Sequence, residues 1–148
     1  RSRFQLEFDW TGTQDPTPYL SVPAAIETLA SLSPQGWPGV MAHNRALALQ
    51  ARQILCDASG QSIPCPAEMV GAIATIPLPH SFGTPNLSKN GIDALQDWLW
   101  ETHRIEVPII PWTNPPQKLI RVSAQLYNCA DHYRFLATAL TQAPSFRG

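Results

Sequence analysis

Fifteen prolines in 148 residues, about 10% of the chain and roughly twice ordinary usage, most constrain what it can fold into. Each lacks a backbone N–H and fixes φ, so long helices and central strands must fit between them. Pro34-Gln35-Gly36-Trp37-Pro38-Gly39 breaks the chain early and predicts a boundary between two structural units. Pro64 and Pro66 predict a loop over residues 61–66, and Pro77 and Pro79 close the strand predicted before them.

Between these breaks the patterning is readable. Residues 4–10 alternate, with Phe4, Leu6, Phe8 and Trp10 on one face and Gln5, Glu7 and Asp9 on the other, which predicts a strand. A turn-rich stretch from Thr11 to Pro18 follows. Ser21 as N-cap and Pro23 in the first turn then predict a helix to about Ser33, with Val22, Ile26 and Leu29 at helical spacing. A longer helix is expected from about Val40 to Ser59, closed by Gly60.

Downstream, strands are expected at 72–78, 105–110 and 119–126, with a helix at 92–101 led in by Ser88, Lys89 and Asn90. Asn128 and Asp131 resemble a capping box opening a last helix through about Thr141, whose inward stripe is Tyr133, Leu136, Ala137 and Leu140. From Val40 onward the order α-β-α-β-β-α defines an α+β layer with helices on one face of an antiparallel sheet.

Composition narrows the function. Ten Lys and Arg against eleven Asp and Glu argue against a nucleic-acid binder. With 14% charged and 44% hydrophobic residues the chain is too apolar for disorder, and part of its surface is expected to meet another protein. No apolar run approaches the ~18–20 residues of a membrane span, and no leader pattern opens the chain. Three cysteines without a C-x-x-C pair fit a reducing cytoplasm. The start at Arg1, without Met and running directly into structure, reads as a fragment.

His43, His80, His103 and His132 are scattered, with no metal-ligand spacing. Two segments stand out. In Thr11-Gly12-Thr13-Gln14-Asp15 a glycine frees the backbone to approach an anion, and threonine hydroxyls can donate to phosphate oxygens. An ordinary turn is the simpler local reading. In Leu119-Ile120-Arg121-Val122-Ser123-Ala124-Gln125-Leu126-Tyr127-Asn128 an arginine interrupts an apolar strand. It either pairs internally, with Glu106 or Asp97 as candidates, or presents its planar fork to a carboxylate.

With Phe8-Asp9-Trp10 before the first segment, Pro23-Ala24-Ala25-Ile26, His43-Asn44 and the run from His103 to Ile109, these segments occur in an order that resembles the C-terminal part of class V aminotransferase-fold enzymes. Those enzymes depend on pyridoxal 5'-phosphate, and the chain is most similar to their isopenicillin N epimerase-like branch. The resemblance implies that residues 1–36 are the tail of a large cofactor-binding domain (strand, phosphate turn, helix) and 39–148 a small C-terminal domain. It implies that Gly12 and Thr13 contact the cofactor phosphate across a homodimer, and that Arg121 binds the α-carboxylate of a small amino-acid substrate.

The family's cofactor lysine belongs to a missing N-terminal part. Lys89 and Lys118, the only lysines, do not match its context, so this chain alone is expected to be inactive and to hold no covalent cofactor. Cysteine desulfurases share the arginine strand but need a cysteine shortly before it. Residues 111–118 contain none, and Cys65 and Cys129 are not so placed. The competing class is a non-enzymatic α+β interaction module in which Arg121 pairs internally and residues 4–10 join the module's own core.

Overall fold

A computed structural model describes every residue except Thr11, Gln14, Asn90, Asn114, Pro115 and residues 145–148, and of Thr113 it describes only the backbone. Two residues of the proposed phosphate turn, Thr11 and Gln14, and Asn90 ahead of the third predicted helix therefore lie outside the described residues. The chain forms two compact units, Arg1–Val40 and Met41–Gly148.

The first unit contains α1 (Arg3–Phe8), α2 (Thr17–Leu20) and α3 (Val22–Ser31), and none of these helices has a buried residue. Residues 4–10 are not the strand their alternation predicts. A strand needs a neighbour for its N–H and C=O groups, and a helix satisfies them within itself. Here the sequence supplies a helix start. The Ser2 hydroxyl accepts the Gln5 N–H at 3.2 Å, and the Gln5 side chain accepts the Ser2 N–H at 2.9 Å. Arg3 and Glu7 pair one turn apart at 2.7 Å, and the Phe4 and Phe8 rings sit 4.9 Å apart.

Ser21 precedes α3 as expected, but its hydroxyl donates to the Pro18 carbonyl at 2.9 Å instead of capping. Pro23 takes the first-turn place that tolerates a missing N–H.

Helix α4 (Gly36–Ser59) begins earlier than predicted, because Pro38 falls within its first turn and removes no needed donor. It ends where glycine was expected to end it. Gly60, at φ +67°, lets the Gln61 N–H reach the Cys56 carbonyl at 3.0 Å, while its own N–H points at Asp57 O at 3.4 Å.

The second unit continues with β1 (Ile73–Pro77), α5 (Ala94–His103), β2 (Ile109–Thr113), β3 (Pro116–Ser123) and α6 (Ala130–Gln142). The three strands form one antiparallel sheet in the order β1-β3-β2. Both later strands are displaced from their predicted ranges. Residues 105–108 have no strand assignment, and among the described residues Arg121 N–H reaches this stretch at Pro108 O, 3.2 Å away.

Lys118, Ile120 and Val122 of β3 alternate inward with Ala74 and Ile76 of β1. They pack on Leu47, Ala48, Ala51 and Leu55 of α4, Leu95 and Leu99 of α5, and Tyr133, Leu136 and Leu140 of α6. The opposite sheet face, with Ile73, Trp112 and Arg121, is exposed. This is the α+β layer that the element order predicted. Among the described residues no helix is long and apolar enough to cross a membrane.

One polar pair is built into this core. Lys118 Nζ lies 2.8 Å from Asp93 Oδ1, with side-chain exposures of 0% and 1%. Asp93 is also the N-cap of α5, accepting the Leu95 N–H at 2.9 Å, and it takes the Asn86 N–H at 3.0 Å. One carboxylate thereby fixes the start of α5, the loop before it and the middle of β3. An ion pair removed from water this completely is tolerated only when its remaining lone pairs are also used, as they are here.

Candidate functional site: a groove beside Arg121

Arg121 is the first outward-facing residue after the buried run of β3, opposite Thr75 of β1. Its side chain is exposed and makes no ion pair within 4.0 Å among the described residues, so neither Glu106 nor Asp97 neutralises it. Glu106 nonetheless shares its groove, an opening of about 280 Å³. One wall is the stretch 105–108 and the other comes from the turn after β3 and the start of α6, including Tyr127, Asn128 and His132.

The second wall is held by a compact set of hydrogen bonds. Gln125 N–H donates to Asn128 Oδ1 at 3.0 Å, and Asn128 N–H returns to the Gln125 carbonyl at 2.8 Å. The Gln125 side-chain oxygen accepts from Leu126 N–H and from Asn44 Nδ2, both at 2.9 Å. Asn44 is buried on α4, and its own Oδ1 has no partner among the described residues. The residues after β3 are thus anchored to the core helix. Because Asn128 Oδ1 accepts a backbone donor, its NH₂ group is left as a donor at the groove. The expected capping box is not formed. Cys129 takes the N-cap place of α6 without a side-chain bond, because Asn128 is committed to the turn.

Tyr133 closes the base of the groove, its hydroxyl donating to the Ser123 carbonyl at 2.7 Å. Burial pushes its phenol above the ordinary value near 10, with smaller contributions from Cys129 and Tyr127. The groove therefore offers Arg121, Asn128, Ser123 and His132 as donors and one carboxylate, Glu106. That set can receive a carboxylate ligand and discriminate its other end by charge.

Gly12 and Thr13 belong to the first unit, Arg121 to the second. Gly12 has φ +103°, a conformation that L side chains rarely adopt, and Thr13 is exposed. Two residues beyond Thr13, Asp15 accepts from the Thr17 hydroxyl at 2.6 Å and the Thr17 N–H at 2.9 Å. These bonds hold its carboxyl below the ordinary carboxylate range.

Sequence reasoning missed the Asn44–Gln125 anchor and the Lys118–Asp93 pair. Asn44 stood in the resemblance with no role attached, and Lys118 drew notice only as a lysine. The signal available for the latter was a lysine at a core-facing strand position, which requires a buried acid. His103, also unassigned from sequence, packs edge-on between Trp98 and Phe135 at 4.8 and 6.1 Å, and its buried Nε2 has no partner among the described residues.

The fold agrees with the small C-terminal domain of a class V aminotransferase-fold enzyme, and the chain is homologous to that pyridoxal-phosphate-dependent class. Over 131 residues it is 30% identical to isopenicillin N epimerase of Streptomyces clavuligerus, and over 133 residues 34% identical to that of Amycolatopsis lactamdurans. These alignments take in 87% and 88% of this chain. It is also 26% identical over 150 residues to L-cysteine desulfhydrase of Arabidopsis thaliana, which covers 93% of the chain. The chain spans 30% of the length of the two epimerases and 32% of the desulfhydrase, matching their C-terminal part. No family model matches the chain.

The homologous enzymes use pyridoxal 5'-phosphate. The residues present here fit its periphery and not its covalent anchor. Gly12 has the backbone freedom a phosphate turn uses, and Arg121 is an unneutralised cation at an open groove. Lys118 is enclosed and committed to Asp93, while Lys89 stands on an exposed turn before α5.

Proposed function

We propose that this chain is the substrate-carboxylate-binding part of a pyridoxal-phosphate-dependent enzyme that transforms a small amino acid. In this reading Arg121 grips the α-carboxylate, and the turn containing Gly12 and Thr13 donates to the cofactor phosphate across a homodimer. The observation that carries it is the state of Arg121, exposed and unpaired on the wall of a groove although Glu106 lines the same groove. An internal structural role would have neutralised it. Pyridoxal phosphate, when bound, delocalises the charge left at the substrate Cα. The chain's own residues bind and orient. Arg121 supplies two parallel N–H donors, which fix the carboxylate plane. The Gln125 N–H to Asn128 Oδ1 bond and the Gln125–Asn44 anchor hold the facing wall in place, which leaves the Asn128 NH₂ turned to the ligand.

Epimerisation, transamination and elimination at the side chain all begin with loss of the Cα proton. Two relatives carry the first of these activities in their names and another is a desulfhydrase, so we infer epimerase or C–S lyase chemistry for the whole enzyme. The group that moves the proton belongs to the part of the enzyme outside this chain. The exposed apolar residues of α1 suit a surface completed by that part, as an independent interaction module would not require. Three free cysteines are compatible with a cytoplasmic setting.

The test is Arg121→Ala in the enzyme that contains this chain. We expect the KM for the amino acid to rise roughly 10–100-fold, while cofactor affinity stays within about twofold, because one bidentate charged contact is removed. Arg121→Lys should recover part of the loss, since the charge returns without the fork. An unchanged KM in Arg121→Ala removes this residue from the site.

A further inference from the structure

Helix α4 carries a second arginine whose chemistry is incomplete. Arg45 and Arg52, seven residues and about two turns apart, both reach the backbone of residues 65–70. Arg45 Nε donates to Val70 O at 3.1 Å and its Nη2 to Ala67 O at 2.9 Å, from an exposed position. Arg52 Nη1 donates to Cys65 O at 2.8 Å, but Arg52 is only 6% exposed. Its Nε has no hydrogen-bond partner, and no carboxylate stands within 4.0 Å of it among the described residues. A carbonyl occupies one donor and leaves the charge uncompensated. Buried guanidinium groups ordinarily have an acid beside them, as Lys118 has Asp93 in this same unit.

Arg52 forms part of the wall of a groove of about 470 Å³ beside β1. The opposing surface is apolar, from Met69, Ile73, Trp112 and Leu119. Met69, Ile73 and Trp112 are all exposed. None of the residues lining it lines the groove beside Arg121, so this is a separate place on the molecule. Its volume falls within the roughly 300–1,000 Å³ typical of small-molecule sites, and its make-up of apolar walls with one placed cation is theirs too.

We propose that this groove binds a small organic acid, its carboxylate meeting the Arg52 guanidinium and its apolar body lying against Trp112 and Met69. Charge complementarity selects the carboxylate, since the site presents a cation without a counter-charge. The indole and thioether surfaces select an apolar, preferably aromatic, remainder. A guanidinium shielded from bulk solvent discriminates strongly between a carboxylate and a neutral amide of the same shape.

The experiment is a titration of the full chain with 3-phenylpropionate and, separately, with 3-phenylpropanamide, followed by ¹H–¹⁵N spectra. Expected is saturable binding of the acid, with shifts at the Trp112 indole N–H and in residues 65–75, and affinity for the amide at least about tenfold weaker. Trp112→Ala, at an exposed side chain, should weaken the acid severalfold without unfolding the chain. Arg52→Lys should weaken it also. The acid–amide contrast in the unaltered chain stands whatever that variant does to folding, and Arg121→Ala should leave binding unchanged. Equal binding of acid and amide, loss of binding in Arg121→Ala, or no saturable response overturns the proposal. So does binding confined to an acidic peptide such as acetyl-Leu-Glu-Phe-amide, which would make the groove a protein-docking site instead.

Discussion

In residues 1–40, helices α1 to α3 bury no side chain, and Phe4, Leu6, Phe8 and Trp10 are between 60% and 75% exposed. In the second unit, each of α5, α6, β1 and β3 contributes side chains to one apolar cluster, and so does the part of α4 beyond Met41. Their secondary structure is equally regular, but its causes differ. The first unit's helices rest on a capping box, an i,i+4 ion pair and proline placement, each local and each small. The second unit's elements are fixed by burial, where a single leucine such as Leu99 contributes about 1.5–3 kcal/mol on its own. Local order without tertiary burial is what a surface awaiting another polypeptide looks like.

The largest expected effect lies in the second unit, at its buried ion pair. Asp93→Ala should destabilise it by about 3–5 kcal/mol, since it leaves Lys118 enclosed with its main counter-charge gone. Asp93→Asn keeps an N-cap oxygen for Leu95 and should be milder by about 1 kcal/mol. Urea unfolding followed by tryptophan fluorescence reads both. If either variant is as stable as the parent, the pair does not hold this core together.

A pH dependence of the same core comes next. Burial raises the Cys56 thiol above its ordinary value near 9 and the Tyr133 phenol above 10. For each, folding favours the neutral form. Their contribution is complete below the unfolded values and is lost as pH rises through the folded ones. The urea midpoint should therefore hold up to about pH 9 and fall beyond it. Tyr133→Phe should flatten the upper part of that decline, and a midpoint unchanged up to pH 11 would contradict this assignment.

Gly60 gives a smaller and more local effect. At φ +67° an alanine is strained by about 1–2 kcal/mol although nothing lies within 4 Å of the added carbon. Gly60→Ala should lower stability by that amount, and Gly60→Asn by less. Equal stability of all three would show that α4 ends by another means.

The sequence was most informative where burial and pattern agree. The order of elements in the second unit, the stripe of α6 and the Gly60 stop were legible because periodicity and core-facing positions coincide there. It misled at residues 4–10, where a period of two pointed to a sheet. Without a neighbouring strand, the Ser2–Gln5 box and the Arg3–Glu7 pair decide the backbone. Strand ends shifted because the β2 ladder with β3 starts only at Ile109, leaving residues 105–108 outside it. At the candidate site, Arg121 was legible as a cation in an apolar strand. Its groove was not, because Asn44 lies 81 residues from Gln125 and nothing in their spacing couples them.

The sharpest test of the contrast between the units is also the one with the smallest expected effect. Phe8→Ala removes a large apolar side chain, and inside a core that change costs about 3–5 kcal/mol. Phe8 is 60% exposed, and its described ring contact is with Phe4, one turn away on the same helix. The global unfolding midpoint should therefore move by less than about 0.5 kcal/mol, as for ordinary surface substitutions. Only the helical signal of the first unit should fall, because a pair of this kind contributes about 0.2–0.5 kcal/mol to an isolated helix. In the complete enzyme the same substitution should be severe if, as proposed, that apolar surface is covered by the rest of the protein. A core-sized loss in the 148-residue chain would mean that the first unit is already packed in solution, and the comparison drawn between the two units would fail.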